Sequence, residues 1–399
     1  MTNRRALIMG GGIGGPVAGM ALQRAGMEAT VYEASNAPAD YVGLFLNTSS
    51  NGLDVLRTLD IDAARQADGF PMPRMVMWSG AGRRLGEVAN GIRLPDGTVS
   101  VALRRGLLQR LLREEAERRG VRFEFGKRLD PYQAAGSEVI AHFADGTKAE
   151  GDLLIGADGI HSATRQAMDP AAPQPTYTGL LSIGGYSHSS TIPPTPDTQH
   201  FVFGRRAFFG YLVRASGEIW WFVNLNRPDE PSRAELAGTS TGEWKRRLLE
   251  LFAGDLDRIS EIIQATHSEI GAYTVHDLST IPTWHRGPVV LLGDAAHATS
   301  PNAGQGASLA MEDALVLALC LRDIPEVDAA LATYERLRRE RAEKVVAYSR
   351  RLGQSKTISN PLGVWIRDLV MPFALRRFAN PQAHAWLYTY HVDWDDKVA

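Results

Sequence analysis

The run Gly10-Gly11-Gly12-Ile13-Gly14-Gly15 constrains this chain more than any other stretch, because of what flanks it. Ala6 to Met9 is a short apolar run that reads as a buried strand. Val17 to Ala25 has helical composition and stops at Gly26. Glu28 to Tyr32 reads as a second strand, closed by Glu33. Glycines 10, 12 and 15 fill the G-x-G-x-x-G spacing. Gly10 permits the tight turn, Gly12 lets backbone approach a pyrophosphate, and Gly15 lets the helix pack on the strand. Phosphates are expected from Gly12 through Ile13 and Gly14 to Gly15, against the free N–H groups of the helix start. Glu33 would reach ribose hydroxyls, and its charge disfavours a 2′-phosphate. The unit therefore predicts a dinucleotide site for NAD or FAD rather than NADP.

A second strand–loop–helix lies far along the chain, in GPVVLLGDAAHATSPNAGQGASLAMED (Gly287–Asp313). Pro288 to Leu292 reads as a buried strand, Gly293-Asp294 as a turn, and Pro301 to Gly306 as a loop rich in breakers. Ala307 to Leu321 reads as a helix. Asp294 can accept hydrogen bonds from ligand hydroxyls, and the helix start can face an electron-rich ligand edge. A third stretch, GADGIHSATR (156–165), follows the buried strand Asp152 to Gly156. Asp158 there reads equally as part of a turn before a Ser162-capped helix and as a ligand contact at a strand's carboxyl end.

Between these motifs, Tyr41 to Ile61 reads as a glycine-led loop entering a short helix, and Met75 to Val101 as hairpins. Leu103 to Arg119 reads as a helix, Val121 to Phe125 as a strand, and Val139 onward as a hairpin. After the proline-rich 170–175, residues 177–283 are strand-like and rich in aromatics, broken by one helical stretch, Trp244 to Phe252. This predicts an antiparallel sheet with one packed face and one that could line a pocket. The expected fold is α/β: a Rossmann-like FAD-binding domain, an inserted antiparallel-sheet substrate domain, and C-terminal helices. In residue numbers, the first domain takes 1–72, 102–172 and 284–355. The second takes 73–101 and 173–283, and a helical tail takes 356–399. Val327 to Arg351 reads as a helix; the basic, amphipathic SNPLGVWIRDLVMPFALRRF after it is compatible with contact at a membrane surface, but the expectation is that it packs on the first domain with its charged face outward.

The 399 residues carry a net charge of −2, which gives no footprint for nucleic acid. The lone Cys320 lies in an apolar helical run and is expected to be core. It excludes an intrachain disulfide and a cysteine-based zinc site, and no metal is expected. With no long apolar span, no membrane crossing is expected, and the reading is a cytoplasmic monomer or homodimer acting on a small molecule.

Two glycine-bearing ligand loops imply one long ligand, with phosphates at Gly12 to Gly15 and a far end at Gly304 to Gly306. FAD has that length, and NAD would not need the second loop. The ordered motifs GGGIGG with Glu33, GADGIHSATR and GDAAHATSPNAGQG resemble those of the class A flavoprotein monooxygenases of the para-hydroxybenzoate hydroxylase fold. Salicylate and urate hydroxylases and tetracycline-inactivating monooxygenases are among their relatives. The resemblance implies Asp294 on the ribityl hydroxyls, and Pro301, Gly304, Gln305 and Gly306 at the catalytic face near the flavin pyrimidine. It also implies Arg104 on the FAD, and Asp158 in FAD and nicotinamide-nucleotide use. The implied chemistry is hydride transfer from NADPH or NADH to FAD, then reaction with O2 to a C4a-hydroperoxide that oxygenates an electron-rich substrate. His297 is expected to pack at its turn rather than act as a base.

Two departures bear on substrate. Ser182-Ile183-Gly184-Gly185 stands where many relatives acting on small acids have an arginine in W-R-G, so a carboxylate anchor is missing there. Phe45 stands where relatives often have a second glycine. Phe45, Asn47, Phe209, Tyr211, Phe222 and Pro301 are expected around a neutral, fairly large, electron-rich substrate such as a polycyclic natural product. The competing readings are a flavin-dependent reductase or dehydrogenase, a halogenase, and a flavin-binding protein without turnover. Ile219-Trp220-Trp221-Phe222 does not match the W-x-W-x-I-P stretch of halogenases.

Overall fold

The strand Arg5–Met9 lies inside a six-stranded sheet, with all but its first residue buried. A computed structural model describes residues 4–40, 43–136, 138–278, 280–355, 360–378 and 381–398. The sheet runs His285–Arg286, Val289–Leu291, Leu153–Gly156, Arg5–Met9, Glu28–Glu33, Arg122–Phe125. Its pairings are parallel except between the first two strands. Parallel strands covered on both faces need continuous apolar runs, which LLIG and VVL supply. The strands before all three ligand motifs, Arg5–Met9, Leu153–Gly156 and Val289–Leu291, are neighbours here. All three glycine turns therefore leave the same edge of one sheet, where open α/β sheets bind ligands.

Helix Gly14–Arg24 packs against helix Gly306–Asp323, which is buried along most of its length. A Cβ at Gly14 would sit 2.6 Å from Leu292 Cδ2, after strand Val289–Leu291, and 3.4 Å from Ala310 Cβ on the facing helix, so a glycine here favours the close approach. Cys320 lies in this core, and burial pushes its thiol up to about 12. Helix Val327–Ser355 covers Gly306–Asp323.

A seven-stranded sheet gathers two distant parts of the chain. Its order is Gly271–Asp277, Thr176–His188, Glu218–Asn226, Ala207–Val213, Thr198–Phe203, Arg74–Ser79, Arg84–Ala89. The hairpin from the 70s and 80s joins it through a parallel pairing with Thr198–Phe203. Its outer face packs Phe209, Tyr211, Trp221 and Val223 against Trp244, Leu248, Ile259 and Ile263. Trp221 is fully buried, and its Nε1–H donates to Thr266 Oγ1 at 3.1 Å, which satisfies this indole. Truncating such a side chain costs about 3–5 kcal/mol.

The structure corrects four local expectations. Val101–Arg104 is a strand, and the helix expected from Leu103 begins at Arg105. Phe45–Thr48, expected as loop, pairs antiparallel with it. The single helix expected at 244–252 is one of three, Arg233–Gly238, Thr241–Leu251 and Asp257–Gln264, with Ser232 and Ser240 capping the first two. Helix Pro361–Phe378 packs not on the nucleotide-side core but on the seven-stranded sheet, with Leu375 against Gly86 of the edge strand Arg84–Ala89. The end of the chain does return to the first core, where Tyr390, Val392 and Trp394 pack.

Candidate functional site: a trough across two sheets

The glycine turn after Arg5–Met9 builds one end of a trough. Gly10 has φ +108°, and a Cβ there would lie 2.3 Å from the Ala157 carbonyl oxygen. A Cβ at Gly15 would lie 2.0 Å from the Gly10 oxygen, so the helix sits directly on its own turn. At Gly12 a Cβ would meet only Gln109, at 3.9 Å, leaving its backbone open to a ligand. Glu33 braces this turn as well as closing its strand. Its Oε2 accepts from Gly11 N–H and its Oε1 from Ser35 N–H, both at 2.8 Å. The cavity here is about 350 Å³ and is lined by Gly10 to Gly12, Glu33, Arg105, Lys127 and Asp158.

A second cavity, about 890 Å³, continues from it and shares Gly12, Arg105, Ala157, Gly159 and His161. Ile13, Gly14, Asp294, Pro301 and Gly304 to Gly306 form one wall. Asp294 opens the short helix Asp294–His297 with its side chain toward the cavity. The residue is open to the cavity, and desolvation by the walls crowded around it raises its carboxyl above the usual range, with Asp313 adding to this and His297 and Arg105 opposing it. Gly304 has φ +63°, and a Cβ there would lie 2.6 Å from Asn47 Nδ2. Gln305 is the N-cap of helix Gly306–Asp323, so the first N–H groups of that buried helix open beside the cavity.

Beneath this loop lies a buried charge network. Asn51 Nδ2 donates to Gln305 Oε1 at 2.9 Å and to Glu312 Oε1 at 2.6 Å. Glu312 also accepts from Arg338 and Arg341, and Asp313 accepts from Arg338 at 2.7 Å. Asp313 Oδ2 takes His297 Nε2 at 2.5 Å and the Gly293 N–H at 3.0 Å. Burial pushes the Asp313 carboxyl up, but its partners His297 and Arg338 outweigh that and hold it at about 2. His297 is thus tied to Asp313 beneath the Asp294 turn and lies against Trp284, as its packing role predicts.

Asp158 braces the turn before the Ser162-capped helix and also borders the trough. Its carboxylate accepts from Ser162 Oγ at 2.5 Å, Thr164 N–H at 2.9 Å and Thr164 Oγ1 at 3.0 Å, and the residue lines the nucleotide-end cavity. Arg165, almost fully buried, ties this motif to the Asp294 turn by donating to the Ala295 and Ile160 carbonyls.

Three sequence expectations fail on side-chain direction. Arg104 does not face the trough: it pairs with Glu218 and lies over Tyr186 and Trp220. Its neighbour Arg105 lines both cavities at their junction. Phe209 and Tyr211 are fully buried on the helix-covered face of the seven-stranded sheet. The cavity side of their strand is marked by Gly210, where a Cβ would lie 2.3 Å from the Phe222 ring. Phe45, Asn47, Phe222 and Pro301 do line the cavity, joined by Phe201, Phe203, Gln199 and Asn224, which the sequence reading missed. The alternation in TQHFVF was the available signal: Gln199, Phe201 and Phe203 share one face, and His200 the other. In AFFGYLV every position is buried, so no alternation shows the face.

The trough fits FAD: a glycine cradle open at Gly12 for the pyrophosphate, Glu33 at one end, Asp294 midway, and a buried helix start at the other end. A family described as "FAD binding domain" matches residues 3–349. The Aurachin C monooxygenase/isomerase of Stigmatella aurantiaca is 33% identical over 373 residues, covering 93% of this chain and 94% of that protein. The FAD-dependent urate hydroxylase of Klebsiella pneumoniae is 31% identical over 354 residues, covering 87% and 89%. The crystal structure of Klebsiella pneumoniae HpxO complexed with FAD and uric acid superposes with a TM-score of 0.85 at 26% identity, covering 97% of each chain. The shared turns, the trough they form and these likenesses together establish that the chain belongs to the FAD-binding-domain family and is a FAD-dependent monooxygenase of the class A flavoprotein type.

Proposed function

We propose that this monooxygenase takes electrons from NADPH or NADH and inserts one oxygen atom of O2 into a neutral, electron-rich aromatic or polycyclic small molecule. In its finer form the proposal includes a flavin C4a-hydroperoxide as the oxygen donor. One observation carries the substrate class: the chamber beside Gly304–Gly306 is walled by Phe45, Phe201, Phe203 and Phe222 with amides of Asn47, Gln199 and Asn224. Arg105 is the only arginine or lysine among the described residues that line it. A carboxylate substrate calls for a bidentate arginine. In the stretch where relatives often carry one, Ser182 faces the chamber and Ile183 is buried against the helices. The named relative acting on urate, a flat heteroaromatic, supports an aromatic substrate.

Bound FAD supplies the redox and oxygen chemistry. The chain supplies position and field. Asp294 accepts hydrogen bonds from ligand hydroxyls. The N–H groups at Gly306 and Ala307 lend positive potential where negative charge builds on a bound ring. The aromatic walls hold the substrate flat and keep water out.

Anaerobic stopped-flow reduction of the holoenzyme by NADPH and by NADH, with and without neutral polycyclic and benzoate-type compounds, tests this. A neutral compound should speed bleaching and, once O2 is admitted, gain one oxygen atom. Fast bleaching without any ligand would favour a reductase, and turnover of simple benzoates alone would overturn the substrate class.

A further inference from the structure

Helix Pro361–Phe378 is apolar on two sides, and only one of them is packed. Its inner side sets Met371 and Leu375 against Met77, Leu85, Phe203 and Phe208, and Leu375 also lines the substrate-side chamber. Arg367, buried at 8% exposure, donates to the Phe203 and Gly204 carbonyls and clamps the helix to the sheet. Its outer side presents Leu362, Trp365, Ile366, Leu369, Val370 and Phe373, each 46–68% exposed. These positions recur at helical spacing and form one continuous stripe. Only Tyr273 and Leu337 are comparably exposed large apolar residues elsewhere among the described residues. A patch of this kind marks a contact surface rather than chance exposure.

We propose that this stripe docks on an anionic lipid bilayer surface, with the helix lying in the interface rather than crossing it. Charge selects the occupant. By sequence, residues 351–378 hold five basic residues against one acidic, Asp368; Arg367 is engaged by the sheet and by Asp368, and Arg351, Lys356, Arg376 and Arg377 leave the segment basic in a chain whose net charge is −2. A second copy docked by two-fold symmetry would bring the two basic segments together, and like charges repel. An anionic headgroup layer attracts a segment of that net charge while its acyl boundary takes up Trp365, Phe373 and the leucines. No helix among the described residues is long and apolar enough to span a membrane, which agrees with surface docking. On the proposed reading of the chamber as a site for a neutral apolar substrate, docking would set one helix between the lipid that dissolves such a substrate and the cavity that uses it.

Flotation of the full-length holoenzyme with vesicles tests docking without any need for turnover, so its outcome is separate from that of the substrate proposal. Vesicles of phosphatidylcholine containing about one quarter phosphatidylglycerol should carry the protein, and pure phosphatidylcholine should carry it less, with the difference shrinking as salt rises. The double variant Trp365→Glu/Phe373→Glu should bind roughly tenfold or more weakly. It should keep its bound flavin and thermal midpoint, since neither side chain lines the cavity. A milder Trp365→Ser/Phe373→Ser pair should also lose binding and guards against a folding artefact. Vesicle binding unaltered by either pair would overturn the proposal. So would absence of binding, including a dimer in solution that these substitutions convert to monomer.

Discussion

One peptide bond separates two arginines with different surroundings. Arg104 ends a strand and spends its charge on Glu218 and two aromatic faces, while Arg105 begins a helix and reaches the trough. Sequence alone could not choose between them, because the choice depends on where the strand stops. We propose Arg105 as the FAD contact. Arg105→Ala should weaken FAD binding by about tenfold or more, read by flavin titration of apoprotein. Arg104→Ala should cost about 1 kcal/mol of stability and leave FAD affinity unchanged. The reverse pattern would restore the original expectation for Arg104. Phe209 and Tyr211 carry the same lesson, since a shift of one residue along a strand exchanges packed face for cavity face.

The helix Gly306–Asp323 presents its first turn to the trough while holding two buried carboxylates one turn deeper. Glu312 and Asp313 are both fully buried, and Arg338, equally buried, bridges them. Desolvating such charges is repaid only while the partners stay together. Arg338→Met should therefore destabilise the protein by about 3–5 kcal/mol in urea unfolding, far more than loss of an exposed ion pair. Because Asp313 also holds Gly293 N–H and His297, the same variant should loosen the Asp294 turn and lower flavin content. Unchanged stability would mean that Arg341 and His297 suffice.

Across the whole molecule, two sheets are joined so that each gives one surface to the site. The seven-stranded sheet gives the aromatic chamber and turns its other face to helices. His200 lies on that helix-covered side, accepting from Trp78 Nε1 at 3.2 Å and stacked on Tyr211, with Arg258 nearby. Burial, and then the Arg258 charge, lower its pKa from 6.5 to about 4. Between those values the unfolded chain binds a proton that the folded chain refuses, so stability falls as pH drops from 6.5 toward 4. The contribution at stake is at most about 3 kcal/mol. Urea titrations at mildly acidic and neutral pH should show this loss, and His200→Gln should have less of it. An equal pH dependence in both proteins would assign the loss to other groups.

The sequence by itself determined the three motif turns, because each is a local strand–glycine turn–helix whose residues are contiguous. Gly10 to Gly15, Asp294 and Gly304 to Gly306 needed no distant partner to be singled out, whereas the local pattern at Asp158 left a turn and a ligand contact equally open. Tertiary structure decided what depends on contacts between remote segments. It put the three motif strands side by side in one sheet, and it tied Asn51 to Gln305 and Arg165 to the Ala295 carbonyl. It chose which face of an all-apolar strand meets the cavity. It also set helix Pro361–Phe378 on the substrate-side sheet, because that helix has apolar residues on both sides and its sequence pattern names neither as the buried one.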